Sequence, residues 1–282
     1  MSDPLIKATG IEVIYGARRG KRDTGHKVLQ GVDIQIDRHE TVGIVGESGS
    51  GKSTLGRALL RLTDVTAGCI TFDGSEISHC PEQMVRPLRR RMQMIFQDPM
   101  SSLNPRHNIR RILLEPMLFH GVAKSRDEAE RRTRRFFDRL GLPLECLDRA
   151  PHELSGGQRQ RIGIARAALL EPDFVVADEI VSGLDVSTQA HTLNLLKTLT
   201  REMGLAMAFI SHDLSVIRSV CDRVYVMRHG RIVEHGRCEE IFAAPSDPYT
   251  RLLIDAIPLP RIDPGWLDRQ PVQDVAALAA RD

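Results

Sequence analysis

A chain of 282 residues can bury a full core, and its 39 basic against 37 acidic side chains leave no charge excess that calls for a nucleic-acid partner. Aromatics are scarce and none interleave with basic residues as a base-stacking surface requires, and no apolar run approaches the roughly 18 residues of a bilayer span. The polar Ser2-Asp3-Pro4 start lacks a signal core, and the dispersed cysteines (Cys69, Cys80, Cys146, Cys221, Cys238) read as free thiols, so the expectation is a cytosolic protein whose membrane contact runs through a partner.

In chain order, residues 11–15 and 32–36 alternate apolar side chains and predict half-buried antiparallel strands, with an exposed basic loop from Gly16 to Gly25 between them. Val42-Gly43-Ile44-Val45 predicts a buried parallel strand, followed by a helix carrying Leu55, Leu59 and Leu62 on one face. Residues from about 98 to 165 read as mainly helical and polar. Phe174-Val175-Val176-Ala177 and residues 206–210 predict two more buried strands, ending at Asp178-Glu179 and Ser211-His212. Residues 224–227 and 232–233 predict a hairpin around His229-Gly230. After Pro245 there is one helical pattern near Tyr249 to Ala256, then a tail expected to be unattached. The predicted class is α/β with a P-loop core.

The chemistry concentrates at strand ends. Gly46-Glu47-Ser48-Gly49-Ser50-Gly51-Lys52-Ser53-Thr54 has P-loop spacing: its glycines let backbone N–H groups turn toward phosphate oxygens, and the helix that follows adds a positive N-terminal end. Lys52 is placed to reach the β- and γ-phosphates of ATP, and the Ser53 hydroxyl to ligate Mg²⁺. Asp178, ending a buried strand, is the second candidate for Mg²⁺. Glu179 points elsewhere and is the candidate general base for the attacking water.

About 100 residues after the P-loop, Leu154-Ser155-Gly156-Gly157-Gln158 opens another helix with free N–H groups. The chain's own P-loop already takes one phosphate, so Ser155, Gly156, Gly157 and Gln158 suggest contact with the ATP of a facing subunit. An ordinary Ser N-cap is the plainer alternative. Gln97 is a candidate for Mg²⁺ and the lytic water, His212 for the γ-phosphate and for orienting Glu179, and Asp185 for crossing the subunit interface. Tyr15 is a candidate adenine platform, with a core aromatic as its alternative. The basic runs at 86–91 and 131–135 read as solvated faces.

With these motifs in this order, residues from about 5 to 245 resemble the nucleotide-binding subunit of an ATP-binding-cassette (ABC) transporter. Gln97-Asp98-Pro99-Met100-Ser101-Ser102-Leu103-Asn104-Pro105-Arg106 and Pro151-His152-Glu153-Leu154 are similar to the oligopeptide, dipeptide and nickel importer branch. Asp247-Pro248-Tyr249-Thr250-Arg251, with Ile257-Pro258-Leu259-Pro260, matches that branch's C-terminal extension, here residues 246–282. The resemblance implies a RecA-like core with an antiparallel β-subdomain and a helical subdomain. It also implies a second ATP-binding subunit (a copy or a sister), two membrane permeases and an external solute-binding protein, with this chain peripheral on the cytoplasmic face of the inner membrane.

Ile180, Gly183 and Asp247 depart from a usual Pro, Ala and His; all are expected to be tolerated, with Gly183 the one able to loosen the loop before Asp185. Only Cys238 lies near the C-terminal region, so no iron–sulfur cluster is predicted there. A soluble ABC-type ATPase acting on DNA would need a long coiled coil between the P-loop and residues 154–158, and the gap shows no sustained heptads. The ribosome type usually carries two cassettes, and this chain has one. A non-catalytic cassette would have lost Glu179 or the 154–158 motif. Within the importer branch, nickel, glutathione or another small solute stands as the alternative to peptide.

Overall fold

A computed structural model describes residues 3–16 and 25–257. The predicted Pro258-Leu259-Pro260 segment with its tail, and residues 17–24 of the basic loop, lie outside the described residues.

The chain opens with β1 (Ile6–Tyr15), β2 (His26–Ile36) and β3 (Thr41–Val45), then passes through the P-loop into α1 (Lys52–Leu59). Two short strands follow, β4 (Ala67–Phe72) and β5 (Ser75–Glu76), then α2 (Glu82–Val85) and β6 (Met92–Ile95). The next stretch is helical: α3 (Pro99–Ser102), α4 (Ile109–Phe119), α5 (Arg126–Leu140) and α6 (Gly156–Ala168). Strands and helices then alternate through β7 (Phe174–Asp178), α7 (Val186–Met203), β8 (Ala206–Ile210) and α8 (Leu214–Val220). The described chain closes with β9 (Arg223–Arg228), β10 (Arg231–Arg237), α9 (Cys238–Ala243) and α10 (Pro248–Asp255).

Two sheets result. The predicted antiparallel pair sits in a four-stranded sheet of order β2-β1-β4-β5, with Ile11 opposite Val32 and both fully buried. The larger sheet has order β10-β9-β3-β8-β7-β6; five of its strands run parallel, and β10 pairs antiparallel to β9. His229 and Gly230 join β9 to β10 with φ of 47° and 76°, the doubly left-handed turn whose twist matches that of a tight hairpin.

The continuous apolar runs of the parallel strands have a simple cause: both faces are covered. Val45, Val175, Ala177, Met207, Phe209, Val224 and Val226 pack in one cluster with the buried sides of α4, α5, α6 and α7. Alternate residues Val42, Ile44, Phe174, Val176, Ala208, Ile210 and Tyr225 join a second cluster with α1 and the antiparallel sheet.

Two expectations need correction. α1 stops at Leu59, and the chain turns through Arg61 at φ 52°, so Leu55 and Leu59 are buried while Leu62 has left the helix face and is 49% exposed. The helical stretch is polar in α5, but α4 buries Ile109, Ile112, Leu113, Leu114 and Met117 because it lies against α5 and α6.

Candidate functional site

β3 delivers the chain to the P-loop at the carboxyl end of the parallel sheet, where open α/β folds place their ligands. Gly46 has φ 148°, and a Cβ there would lie 2.1 Å from the Met227 carbonyl, so only glycine lets the loop pass this close to β9. The loop closes on itself through Ser50 N donating to the Glu47 carbonyl at 3.2 Å, and is braced by Gly230 N donating to the Ser50 carbonyl at 3.0 Å. Gly51 begins α1 with no side-chain cap and no acidic residue in the first turn, leaving the helix's first N–H groups and positive end for an anion.

Lys52 is 5% exposed, and its Nζ donates to the carbonyls of Gly46 at 2.8 Å and Glu47 at 2.7 Å. Burial lowers its pKa, against the opposing pull of Glu179, Asp178 and Glu47. Ser53 Oγ donates to Asp178 Oδ1 at 2.9 Å. Burial raises the Asp178 pKa, only partly countered by the Ser53 hydrogen bond and nearby Arg57.

Glu179, first residue beyond β7, has φ 46°, a left-handed conformation that costs a non-glycine residue about 1–3 kcal/mol. Its amide donates to the Ile210 carbonyl at 3.0 Å, and its carbonyl accepts from Ser182 Oγ at 2.8 Å. Those ties hold its side chain away from Asp178 and toward Gln97 and His212. Gln97 Nε2 donates to Glu179 Oε2 at 3.0 Å, and His212 Nδ1 lies 3.6 Å from the same oxygen. A cleft of about 120 Å³ is lined by Glu179, Ser182, Gly183, Ser211, His212 and Asp213. Residues just beyond β6, β7 and β8, far apart in sequence, thus meet around one carboxylate.

Ser155 caps α6: its Oγ accepts from Gln158 N at 3.3 Å, while Gln158 Oε1 accepts from Ser155 N at 3.0 Å. Ser155 and Gly156 are also exposed. A Cβ on Gly157 would lie 3.3 Å from Thr188 Cγ2, which puts this helix start beside the start of α7. Asp185 caps α7, accepting from Ser187 Oγ at 2.6 Å, Thr188 Oγ1 at 2.7 Å and Thr188 N at 2.9 Å. The sequence signals that capping task only through an Asp placed immediately before a helical run. Tyr15 ends β1 with 44% of its surface exposed.

The ABC transporter family profile matches residues 29–182, more than half of the chain. The chain belongs to the ABC transporter family. A Brucella ovis protein provisionally named a peptide import ATP-binding protein is 49% identical over 260 residues, covering 92% of this chain and 80% of the relative. The oligopeptide transport ATP-binding protein OppF of Bacillus subtilis is 45% identical over 264 residues, covering 93% and 85%. Among solved structures, the dimeric post-hydrolysis state of the ATP-binding cassette MJ0796, bound to ADP and phosphate, superposes with TM-score 0.75 at 27% identity, covering 83% of this chain and 98% of that one.

This ABC cassette has an ATPase fold suited to binding nucleotide, and several observations fit a triphosphate with its metal. Ser50 Oγ is buried without a hydrogen-bond partner among the described residues. α1 lacks a side-chain cap, and Lys52 and Asp178 are a buried cation and carboxylate in reach of one loop. A concavity of about 860 Å³ along α5 lies elsewhere; its Arg132 and Arg139 are paired with Glu128, Glu171 and Glu202.

The departures from the family pattern have visible consequences. Ile180 is 1% exposed and joins the core, and Gly183 sits at φ 76°, where an alanine would be strained. Asp247 is the N-cap of α10. The hydroxyl of Ser187 first, then the amide and hydroxyl of Thr188, hold the Asp185 carboxyl well below the usual range. A depressed folded-state pKa stabilises the fold above the ordinary carboxylate pKa and ceases to do so as pH falls through the folded value. Asp185→Ala is expected to lower the thermal midpoint at neutral pH by about 2–4 °C. Melting curves of the two proteins should converge as pH drops below the ordinary carboxylate range; a gap independent of pH would remove the charged cap as its cause.

Proposed function

We propose that this chain is the ATP-hydrolysing subunit of an importer that takes up di- or oligopeptides across the cytoplasmic membrane. Residues 1–245 form the cassette, with a helical subdomain at about 98–165, and residues 246–282 form an importer-type extension. The observation that carries the catalytic part is the convergence of Gln97 and His212 on one oxygen of Glu179, beside the Ser53–Asp178 pair. The peptide substrate rests on the names borne by relatives that this chain matches over most of their length.

In this reading the amides of Gly49, Gly51, Lys52, Ser53 and Thr54, with the loop residues Glu47, Ser48 and Ser50, wrap the phosphates, and Tyr15 stacks on adenine. Lys52 gives up the Gly46 and Glu47 carbonyls to pair with the β- and γ-phosphates. Ser53, Asp178 and the Gln97 amide oxygen would hold Mg²⁺, which when bound would supply neutralisation of phosphate charge. Glu179 accepts the proton of the attacking water, with Gln97 and His212 fixing the carboxylate's direction. Ser155, Gly156, Gly157, Gln158 and Asp185 act on the ATP of a facing cassette, a second copy or a sister subunit.

No described helix is long and apolar enough to cross a membrane, so permeases supply the channel and this chain docks at their cytoplasmic face. The proposed docking cleft is the region after Gln97: about 480 Å³ lined by Asn104, His107, Ile112, Glu115 and Phe119, with Phe119 66% exposed. The test is purification of the tagged chain from native membranes in mild detergent, with all accompanying subunits identified. Two permeases and an associated binding protein with peptide affinity are the expected result. A binding protein selective for nickel or another small solute would replace the substrate. Ribosomal or DNA-bound companions without permeases would overturn the importer reading.

A further inference from the structure

Nothing in the hydrolytic machinery uses Asp247-Pro248-Tyr249-Thr250-Arg251, yet this segment reaches the P-loop. Tyr249 Oη accepts a hydrogen bond from the backbone N–H of Glu47 at 3.0 Å. The tyrosine is held there by several independent contacts. Asp247 Oδ1 caps α10, accepting from Tyr249 N at 2.8 Å and Thr250 N at 3.4 Å. Glu234 of β10 accepts from Ser246 N at 2.7 Å and Asp247 N at 3.2 Å, fastening the turn before α10 to the large sheet. The Arg228 guanidinium lies over the ring, 5.0 Å from its centroid, and the whole side chain is 6% exposed.

The bonded amide belongs to the peptide group between Gly46 and Glu47. The carbonyl of that same peptide, that of Gly46, is one of the two that accept from Lys52 Nζ. One peptide plane is therefore clamped on both sides, its C=O by Lys52 and its N–H by Tyr249. Gly46 has no Cβ, so rotation of this plane meets little intrinsic resistance. When Lys52 turns toward phosphate, its side of the clamp is released, and the tyrosine remains to stop the plane from flipping.

We propose that Tyr249 is a positioning residue for nucleotide binding: its hydroxyl holds the Gly46 and Glu47 arm of the P-loop in the shape that receives phosphate. The C-terminal extension is then part of the ATP site. This inference rests on the P-loop reading above.

The experiment uses the full-length chain as wild type, Tyr249→Phe and Lys52→Ala. Phenylalanine keeps the ring and its stack with Arg228 and removes only the hydroxyl. Affinity for a non-hydrolysable ATP analogue is measured at equilibrium, KM and kcat are measured for ATP, and the thermal midpoint is recorded with and without nucleotide. Loss of one neutral hydrogen bond predicts ATP binding weaker by about threefold to tenfold in Tyr249→Phe. KM should rise in proportion with kcat nearly unchanged, and the nucleotide-induced rise in midpoint should shrink. Wild-type affinity and KM in Tyr249→Phe, with binding still lost in Lys52→Ala, would overturn the role of the tyrosine and leave the P-loop assignment intact. A lower nucleotide-free midpoint with wild-type affinity would make the contact merely structural and equally overturn it. Unchanged binding in Lys52→Ala would remove the P-loop assignment and this inference with it.

Discussion

Glu179→Gln binds ATP as the wild type does and loses nearly all turnover, with kcat lower by about 10²–10⁴. Glutamine is nearly isosteric with glutamate, so the cleft keeps its shape and Gln97 Nε2 keeps an oxygen to donate to. What is lost is a group able to take a proton. Because the ground-state contacts to nucleotide are proposed to run through the P-loop, the effect belongs in kcat and leaves KM close to its original value. A single-turnover assay with equilibrium binding of ATP distinguishes the outcomes: retained wild-type turnover would show that another group serves as base. A variant arrested with ATP bound should also favour the closed pair of cassettes, a second readout visible as a nucleotide-dependent dimer.

Lys52→Ala acts a step earlier. A charge-assisted contact to phosphate contributes about 1.5–3 kcal/mol, so ATP affinity should fall by about 10- to 100-fold. The nucleotide-free fold should suffer much less. Alanine removes two hydrogen bonds to the Gly46 and Glu47 carbonyls, but also removes an ammonium whose burial is costly enough to lower its pKa. Calorimetric titration with ATP and melting curves without it separate the two quantities. Unchanged affinity would undo the P-loop assignment, and unfolding without nucleotide would mean the lysine is chiefly a structural strut.

Much of this was legible in the sequence, for reasons that differ by element. The parallel strands announced themselves because burial on both faces leaves an unbroken apolar run, as in Phe174-Val175-Val176-Ala177. The loop from Gly46 to Thr54 announced itself because its backbone path tolerates few substitutes at its glycines. Gln97 and His212 were found by their order along the chain, but their meeting on Glu179 is a property of the sheet: β6, β7 and β8 are neighbours in it. Leu62 misled because periodicity does not reveal that α1 ends at Leu59. The capping duties of Asp185 and Gln158 are hidden in the sequence because both sit in motifs whose spacing equally suits an interface role. Tyr249 stands out in the sequence only as a family mark, since no local pattern states that its hydroxyl meets an amide 202 residues away.

Glu179, held at φ 46°, is a position where glycine would relax the chain. Selection for a robust fold and selection for transport therefore pull this residue in opposite directions. Library screens that reward expression or heat resistance alone will tend to enrich changes here that leave the cassette sturdy and the importer silent.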